Sequence, residues 1–318
     1  MATTRRVDAL VIGAGVSGLT TAVRFVEAGR SVRVLSAHPT LATTSAHAGA
    51  SWGPYLVADP RVLRWSERSR YRFEELSKEP ASGVRLISGL EAAEERIEPP
   101  SWAVTVRDFW RCEPHELPKG YVSGWRYTIP VVDMPRYLGY MIQFLAESGV
   151  VIERHEIATF REVAGEARVV VNCSGLGSRT LVPDAEVYPT RGQLVVVKNP
   201  GIDRFFQDHA EGEHLTYILP HGDHVVLGGS AIQHTANLEP DDKTAEAILA
   251  RCQAVEPMLR DAPVLGHLVG LRPTRPEVRV ERDEVAGTPL IHNYGHGGAG
   301  VTLSWGCADE VLELSEVD

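Results

Sequence analysis

Lysine is almost missing from this 318-residue chain. It occurs only at Lys78, Lys119, Lys198 and Lys243, so nearly all positive charge is carried by arginine. The bias fits heat adaptation or genome composition alike, because arginine-for-lysine exchange is a weak thermal signal. Cysteine is sparse too. Cys112, Cys173, Cys252 and Cys307 have no metal-like spacing and read as buried thiols, with a disulfide between two of them left open. No stretch approaches the roughly 20 apolar residues of a membrane span, so no helical membrane protein is expected. Basic charge is in deficit, and the formal net charge of -10 argues against a nucleic-acid partner. The opening MATTRRVDALVIGAG lacks a signal peptide's uninterrupted apolar run, and the closing SEVD is no peroxisomal tripeptide. A cytoplasmic protein is the expectation.

What is present points to a nucleotide-binding α/β fold. The apolar share of 43% and the length allow one large domain or two interlocked ones. Val7 to Ile12 is a short apolar run of the kind that forms a buried parallel strand. Gly13-Ala14-Gly15-Val16-Ser17-Gly18 follows as a G-x-G-x-x-G turn. Leu19, Ala22, Phe25 and Val26 then keep helical spacing up to Gly29, and Ser31 to Leu35 supplies a second strand. In such a unit the first glycine permits the tight turn and the second lets backbone approach a pyrophosphate. The third allows close helix packing. The acid that should end the second strand and hold a ribose hydroxyl is replaced by Ala37, followed by His38.

Thr43, Thr44 and Ser45 precede a glycine-containing loop and could donate to phosphates or to the ring edge of a bound cofactor; an ordinary helix cap explains such a run equally. Asp59 to Leu76 reads as a charged, solvated helix. Val84 to Pro130, with Trp102, Trp110 and Trp125, reads as short strands, and Asp133 as the start of a helix whose body is Tyr137 to Ala146. Val169 to Val171 is a strand ending in a glycine turn. Thr216 to Leu219 and Val225 to Leu227 form a hairpin, Glu239 to Met258 a helical connector, and Leu268 to Arg272 and Val278 to Glu281 two further strands. Arg272 precedes Pro273, which keeps it extended. Gly295, Gly297, Gly298 and Gly300 run into an apolar helix pattern from Val301 to Leu314.

Seven phrases occur in one order: VIGAGVSGL, TTSAHAGASWGPY, VVNCSGLGSR, RGQ, TYILP, GLRPTRPEVRVER and HNYGHGG. Together they resemble the D-amino-acid oxidase family over nearly the whole chain. The resemblance implies an α/β fold: an FAD-binding Rossmann-like domain with an interleaved antiparallel β-rich substrate domain. The boundaries expected are 1–78, 131–188 and 266–318 for the FAD domain, and 79–130 and 189–265 for the substrate domain.

The activity it implies is oxidative deamination of neutral D-amino acids by hydride transfer to flavin N5. Molecular oxygen is consumed, and 2-oxo acid, ammonia and hydrogen peroxide are released. Arg272 and Tyr217 would hold the substrate carboxylate, Gly298 the amine, and the small residues Ser51 and Gly53 would leave room for larger neutral side chains. FAD would lie against Gly13, Ala14, Gly15, Val16 and Ser17. It would also meet Thr43, Thr44, Ser45, Gly49, Ala50, Ser51, Val171, Gly175, Gly297, Gly298, Gly300, Val301 and Thr302. A second tyrosine usual in the family is replaced by Glu213, a carboxylate that would repel substrate unless it faces solvent. His292 and His296 are not read as a base or metal ligands, because hydride transfer needs no side-chain base. A homodimer is an open expectation. D-aspartate oxidase, another FAD-dependent amine or amino-acid oxidase, a nicotinamide-dependent dehydrogenase and a non-catalytic flavin binder are the alternatives.

Overall fold

The computed structural model describes residues 6–55, 57, 59–209 and 212–317. In chain order the strands are β1 (Val7–Ile12), β2 (Val32–Ser36), β3 (Val84–Ala93), β4 (Trp110–Arg111), β5 (Ser123–Val132), β6 (Ile152–Arg154) and β7 (Ala167–Asn172). They continue as β8 (Tyr188–Lys198), β9 (Phe205–Asp208), β10 (His214–Pro220), β11 (His224–Ser230), β12 (Ile232–Gln233), β13 (Val264–Val285) and β14 (Thr288–His296). The helices are α1 (Val16–Glu27), α2 (Val62–Leu76), α3 (Met134–Glu147), α4 (Ser178–Leu181), α5 (Asp242–Val255) and α6 (Gly300–Ser315).

All the strands join one sheet, ordered β4-β5-β3-β9-β10-β11-β8-β13-β14-β7-β1-β2-β6, with β12 beside β8. One end is parallel: β6, β2, β1, β7 and β14 run together, and α1 crosses between β1 and β2. Such strands are covered on both faces and so can be continuously apolar, as Ala9 to Val11 and Val169 to Val171 are. From β13 to β4 the pairing is antiparallel except for β3 with β9. The α/β class with a parallel nucleotide-type unit and an antiparallel β-rich part is therefore what the chain adopts.

Three local expectations need correction. The segment read as Leu268 to Arg272 and Val278 to Glu281 is one strand, β13, of 22 residues; a register shift between Thr274 and Arg279 makes it look like two. The region from Val84 holds two ten-residue strands, β3 and β5, paired along their whole length, rather than short ones. The helix read as solvated, α2, buries Trp65, Ser69 and Phe73 completely. Its arginines hid this, because Arg64, Arg68 and Arg72 keep exposure and form ion pairs such as Arg68–Glu313. Asp133 does cap α3, accepting from the Arg136 amide.

Candidate active site

The glycine turn after β1 is shaped by what a side chain would hit. Gly13 has φ +113°, and a Cβ there would run into the carbonyl of Cys173 at the end of β7; one on Gly18 would run into the Gly13 carbonyl. Gly15 caps α1 without a side chain. A Cβ on it would come within 3.2 Å of Ser45 Oγ, which accepts from the Val16 amide at 3.0 Å. Ala14 and Val16 are buried behind this turn. Helix amides before Leu19 lie outside the α1 ladder, because the Leu19 N–H is the one that reaches Gly15 O. That leaves donors and a positive dipole end for a pyrophosphate. Ser17 sits in this first turn, its carbonyl accepting from Thr20 and Thr21. Ala37 leaves the ribose position without a carboxylate, and the Ser36 hydroxyl is spent on the His38 carbonyl.

At two of the three positions of the hydroxyl run the side chain already donates within the chain. Thr43 Oγ1 donates to Thr40 O at 2.6 Å, and Thr44 Oγ1 to Leu271 O at 3.0 Å, so neither proton remains for a ligand. Thr44 instead ties this loop to β13, one residue before Arg272. Ala50 and Ser51 are drawn onto β5: Ala50 O accepts from the Val132 amide, and Ser51 bridges to Val131. Thr302, in the first turn of α6, donates to Gly53 O at 2.9 Å and accepts from Gly53 N at 3.1 Å. The room expected at Gly53 is taken by the ring of Tyr55, which a Cβ there would overlap. Val171 is fully buried between Val11 and Ile291 and is a strut of the sheet, with no surface for a ligand. Gly175 has φ +57°, and its turn lies against Pro273. Gly297 has φ +53°, Gly298 is exposed, and Gly300 opens α6, which has no side-chain cap. Val301 is buried beside it.

The candidate substrate face follows from register. Residues paired across neighbouring strands share a face. Leu268 pairs with Leu194, Leu194 with Gly228, and Gly228 with Tyr217, so these lie in one row. Gly270 and Arg272 alternate onto the same face as Leu268. The row is lined with glycines because the large side chains lie flat on it. A Cβ on Gly192 would stand 2.6 Å from Arg272 Nη1, one on Gly228 would enter the Tyr217 ring, and one on Gly49 would come within 3.1 Å of Tyr217 Cε2.

Arg272 donates to Ser230 O at 2.9 Å, and no carboxylate among the described residues pairs with it. Burial lowers its affinity for the proton and the nearby Tyr217 hydroxyl partly restores it; burial pushes the Tyr217 hydroxyl up to about 12, so it stays a donor. Glu213 is exposed, which removes the expected repulsion. His292 and His296 are buried in β14, and burial holds both down to about 4. Among the described residues no cluster could hold a metal ion. The glycines at 192, 228 and 270 were missed in the sequence. Their signal was the two-residue alternation of strands around RGQ and GLR.

Two helix N-termini free of side-chain caps, on a βαβ turn and a terminal glycine cluster, fit a dinucleotide, and the unpaired guanidinium fits an acid. This is the plan of a flavin-dependent oxidoreductase. The family model described as FAD dependent oxidoreductase matches residues 8–314, and the chain belongs to that family. It is 48% identical over 311 residues to a D-amino-acid oxidase of Rubrobacter xylanophilus, covering 96% of this chain and 95% of that protein. It is 36% identical over 320 residues to a D-aspartate oxidase of Homo sapiens, covering 96% and 93%. The crystal structure of glycine oxidase from Geobacillus kaustophilus shares the fold, with a TM-score of 0.81 at 18% identity over 98% of this chain and 95% of that one. The protein is an enzyme, and FAD is its cofactor.

Proposed function

We propose that the enzyme oxidatively deaminates neutral D-amino acids, with molecular oxygen as second substrate. The observation that carries this is the unpaired guanidinium of Arg272, laid flat over Gly192 on the same face as Tyr217. A half-buried guanidinium with a carbonyl but no carboxylate against it is under-satisfied, and a substrate carboxylate would take it through two parallel hydrogen bonds. The Tyr217 hydroxyl donates to the same carboxylate, and the exposed Gly298 carbonyl accepts from the substrate amine. Three held points around one carbon leave one handedness with its α-hydrogen facing the cofactor. Bound FAD supplies the two-electron acceptor for hydride transfer at N5, and oxygen takes the electrons away as hydrogen peroxide. The imino acid then hydrolyses to a 2-oxo acid and ammonia.

We also read residues 1–78, 131–188 and 266–318 as the FAD-binding part and 79–130 and 189–265 as the substrate part. The second boundary falls at the start of β13, which hands the chain from one to the other. Four free thiols fit a reducing, cytoplasmic setting. Exposed Met258, Val264 and Leu265 offer an apolar face for a homodimer, which light scattering would test. Acidic D-amino acids are the second reading, favoured by the relationship to a D-aspartate oxidase.

The test is a panel of D- and L-amino acids with peroxide detection, on wild type and Arg272→Ala. Activity confined to D-amino acids is expected, with kcat/KM falling roughly a hundredfold to a thousandfold in the variant through both KM and kcat. Undiminished turnover by Arg272→Ala would sink the assignment.

A further inference from the structure

We propose that Gln207 meets the far end of the substrate's side chain with its amide carbonyl, and that Glu91 is the positioning residue that fixes this orientation. The inference rests on the D-amino-acid reading above and says why the side chain should be neutral. The row of residues through Tyr217 continues onto the next strands: Tyr217 pairs with Gln207, Gln207 with Glu91, and Glu91 with Trp125. Gln207 is therefore the lateral neighbour of the carboxylate-holding tyrosine. One strand spacing, about 4.8 Å, separates them, which is the reach of a short side chain on a substrate pinned at Tyr217. From the other side Tyr55 closes over Gly53, which Thr302 clasps at the start of the cofactor helix α6. Gln207 and Tyr55 thus stand between the cofactor end and the carboxylate end.

The direction of the amide follows from donor counting. Glu91 is fully buried; its Oε2 accepts from Trp125 Nε1 at 2.9 Å and from the Tyr127 hydroxyl, and its Oε1 faces His209 Nδ1 at 2.7 Å. A carboxylate only accepts, so the single proton of Tyr127 is committed to it. Tyr127 can then only accept from Gln207, 2.8 Å away, and Gln207 must present Nε2. The same Nε2 reaches the Tyr55 hydroxyl at 2.8 Å, using both of its protons. Gln207 Oε1 is left over and accepts from no described residue. A side chain arriving there meets an acceptor with a buried acid behind it. The amide of D-asparagine can donate to that oxygen, and the carboxylate of its isostere D-aspartate cannot.

Replacing Glu91 by leucine removes the acceptor that Trp125 and Tyr127 share, frees the Tyr127 proton for Gln207 Oε1, and lets the amide turn its Nε2 towards the substrate. The experiment measures KM and kcat for D-asparagine, D-aspartate and D-valine on flavin-loaded wild type, Glu91→Leu, Tyr127→Phe and Gln207→Leu. In wild type the kcat/KM ratio of D-asparagine to D-aspartate should exceed tenfold. It should fall at least fivefold in Glu91→Leu and in Tyr127→Phe, mainly through KM, which a general loosening of the fold would not do for one isostere alone. Gln207→Leu should lower it as well. If Glu91→Leu fails to fold, the other two variants decide. A ratio unchanged in the loaded variants, with D-valine still oxidised by wild type, overturns this assignment alone. A wild type inactive on all three D-amino acids overturns the function and this assignment with it.

Discussion

The guanidinium of Arg272 can lie flat only because position 192 carries no side chain. A methyl there would stand 2.6 Å from Nη1 and 2.7 Å from Cζ, closer than van der Waals contact allows. Gly192→Ala should therefore tilt the fork without removing the charge. We expect KM for a D-amino acid to rise on the order of tenfold, about 1.4 kcal/mol, with flavin content unchanged. Arg272→Lys should look alike but worse, since an ammonium is a point charge that cannot hold two carboxylate oxygens in a plane. Unaltered KM in both variants would mean the carboxylate is held elsewhere. Arg272 was singled out by the family resemblance of R-P-T-R-P; the strand pattern alone left Arg275 and Arg279 equally visible. The clearance of Arg272 was not legible, since a glycine at 192 acquires meaning only once β8 and β13 are aligned. Glu213 shows the same limit: its charge was visible, and its outward direction was a property of the fold.

Among the elements, α6 carries the terminal glycine cluster and is held in place by α2. Gly306 is the crossing point: a Cβ there would collide with the Trp65 backbone, and Ser69 Oγ accepts from the amides of Trp305 and Gly306. Trp65 Nε1 reaches Glu310 at 2.7 Å, and Arg61 pairs with Glu310 at 3.1 Å and with Asp59 at 3.0 Å. Gly306→Ala forces the two helices apart, which typically costs 1–3 kcal/mol of overpacking, taken here as about 2 kcal/mol. The expected result is a lower Tm and easier flavin loss, while the fraction that stays loaded keeps its kcat. A melting curve superimposable on wild type would show that the crossing tolerates a methyl. The βαβ unit, the β10–β11 hairpin and α6 could be read directly, each from apolar period and glycine punctuation. The burial of α2 could not, because its four arginines dominate the composition while Trp65, Ser69 and Phe73 form the stripe that matters. The unity of β13 was hidden by two prolines, Pro273 and Pro276, which interrupt a strand pattern without ending the strand.

At the scale of the whole molecule, β13 joins both halves of one hydrogen-bonded sheet, so flavin release and unfolding should report a single transition. That makes the pH dependence of stability interpretable. His221, His292 and His296 are buried, and burial is the largest cause holding each down to about 4, against 6.5 for a free imidazole. The unfolded chain therefore binds more protons than the folded one between pH 6.5 and 4, and stability rises with pH across that window. The contribution is complete above pH 6.5 and is lost as the pH falls towards 4. At roughly 1.4 kcal/mol per pKa unit, it is on the order of 3 kcal/mol for each histidine. Asp208 works in the opposite direction, because burial raises its carboxyl and acid favours its folded form. Urea melts of the holoenzyme at pH 7.5 and pH 5.0 should show a fall of several kcal/mol, and His292→Asn should remove about a third of that fall. If the free energy of unfolding is flat across that interval, the buried imidazoles are charged in the folded protein and the packing around β14 is not as tight as its burial implies.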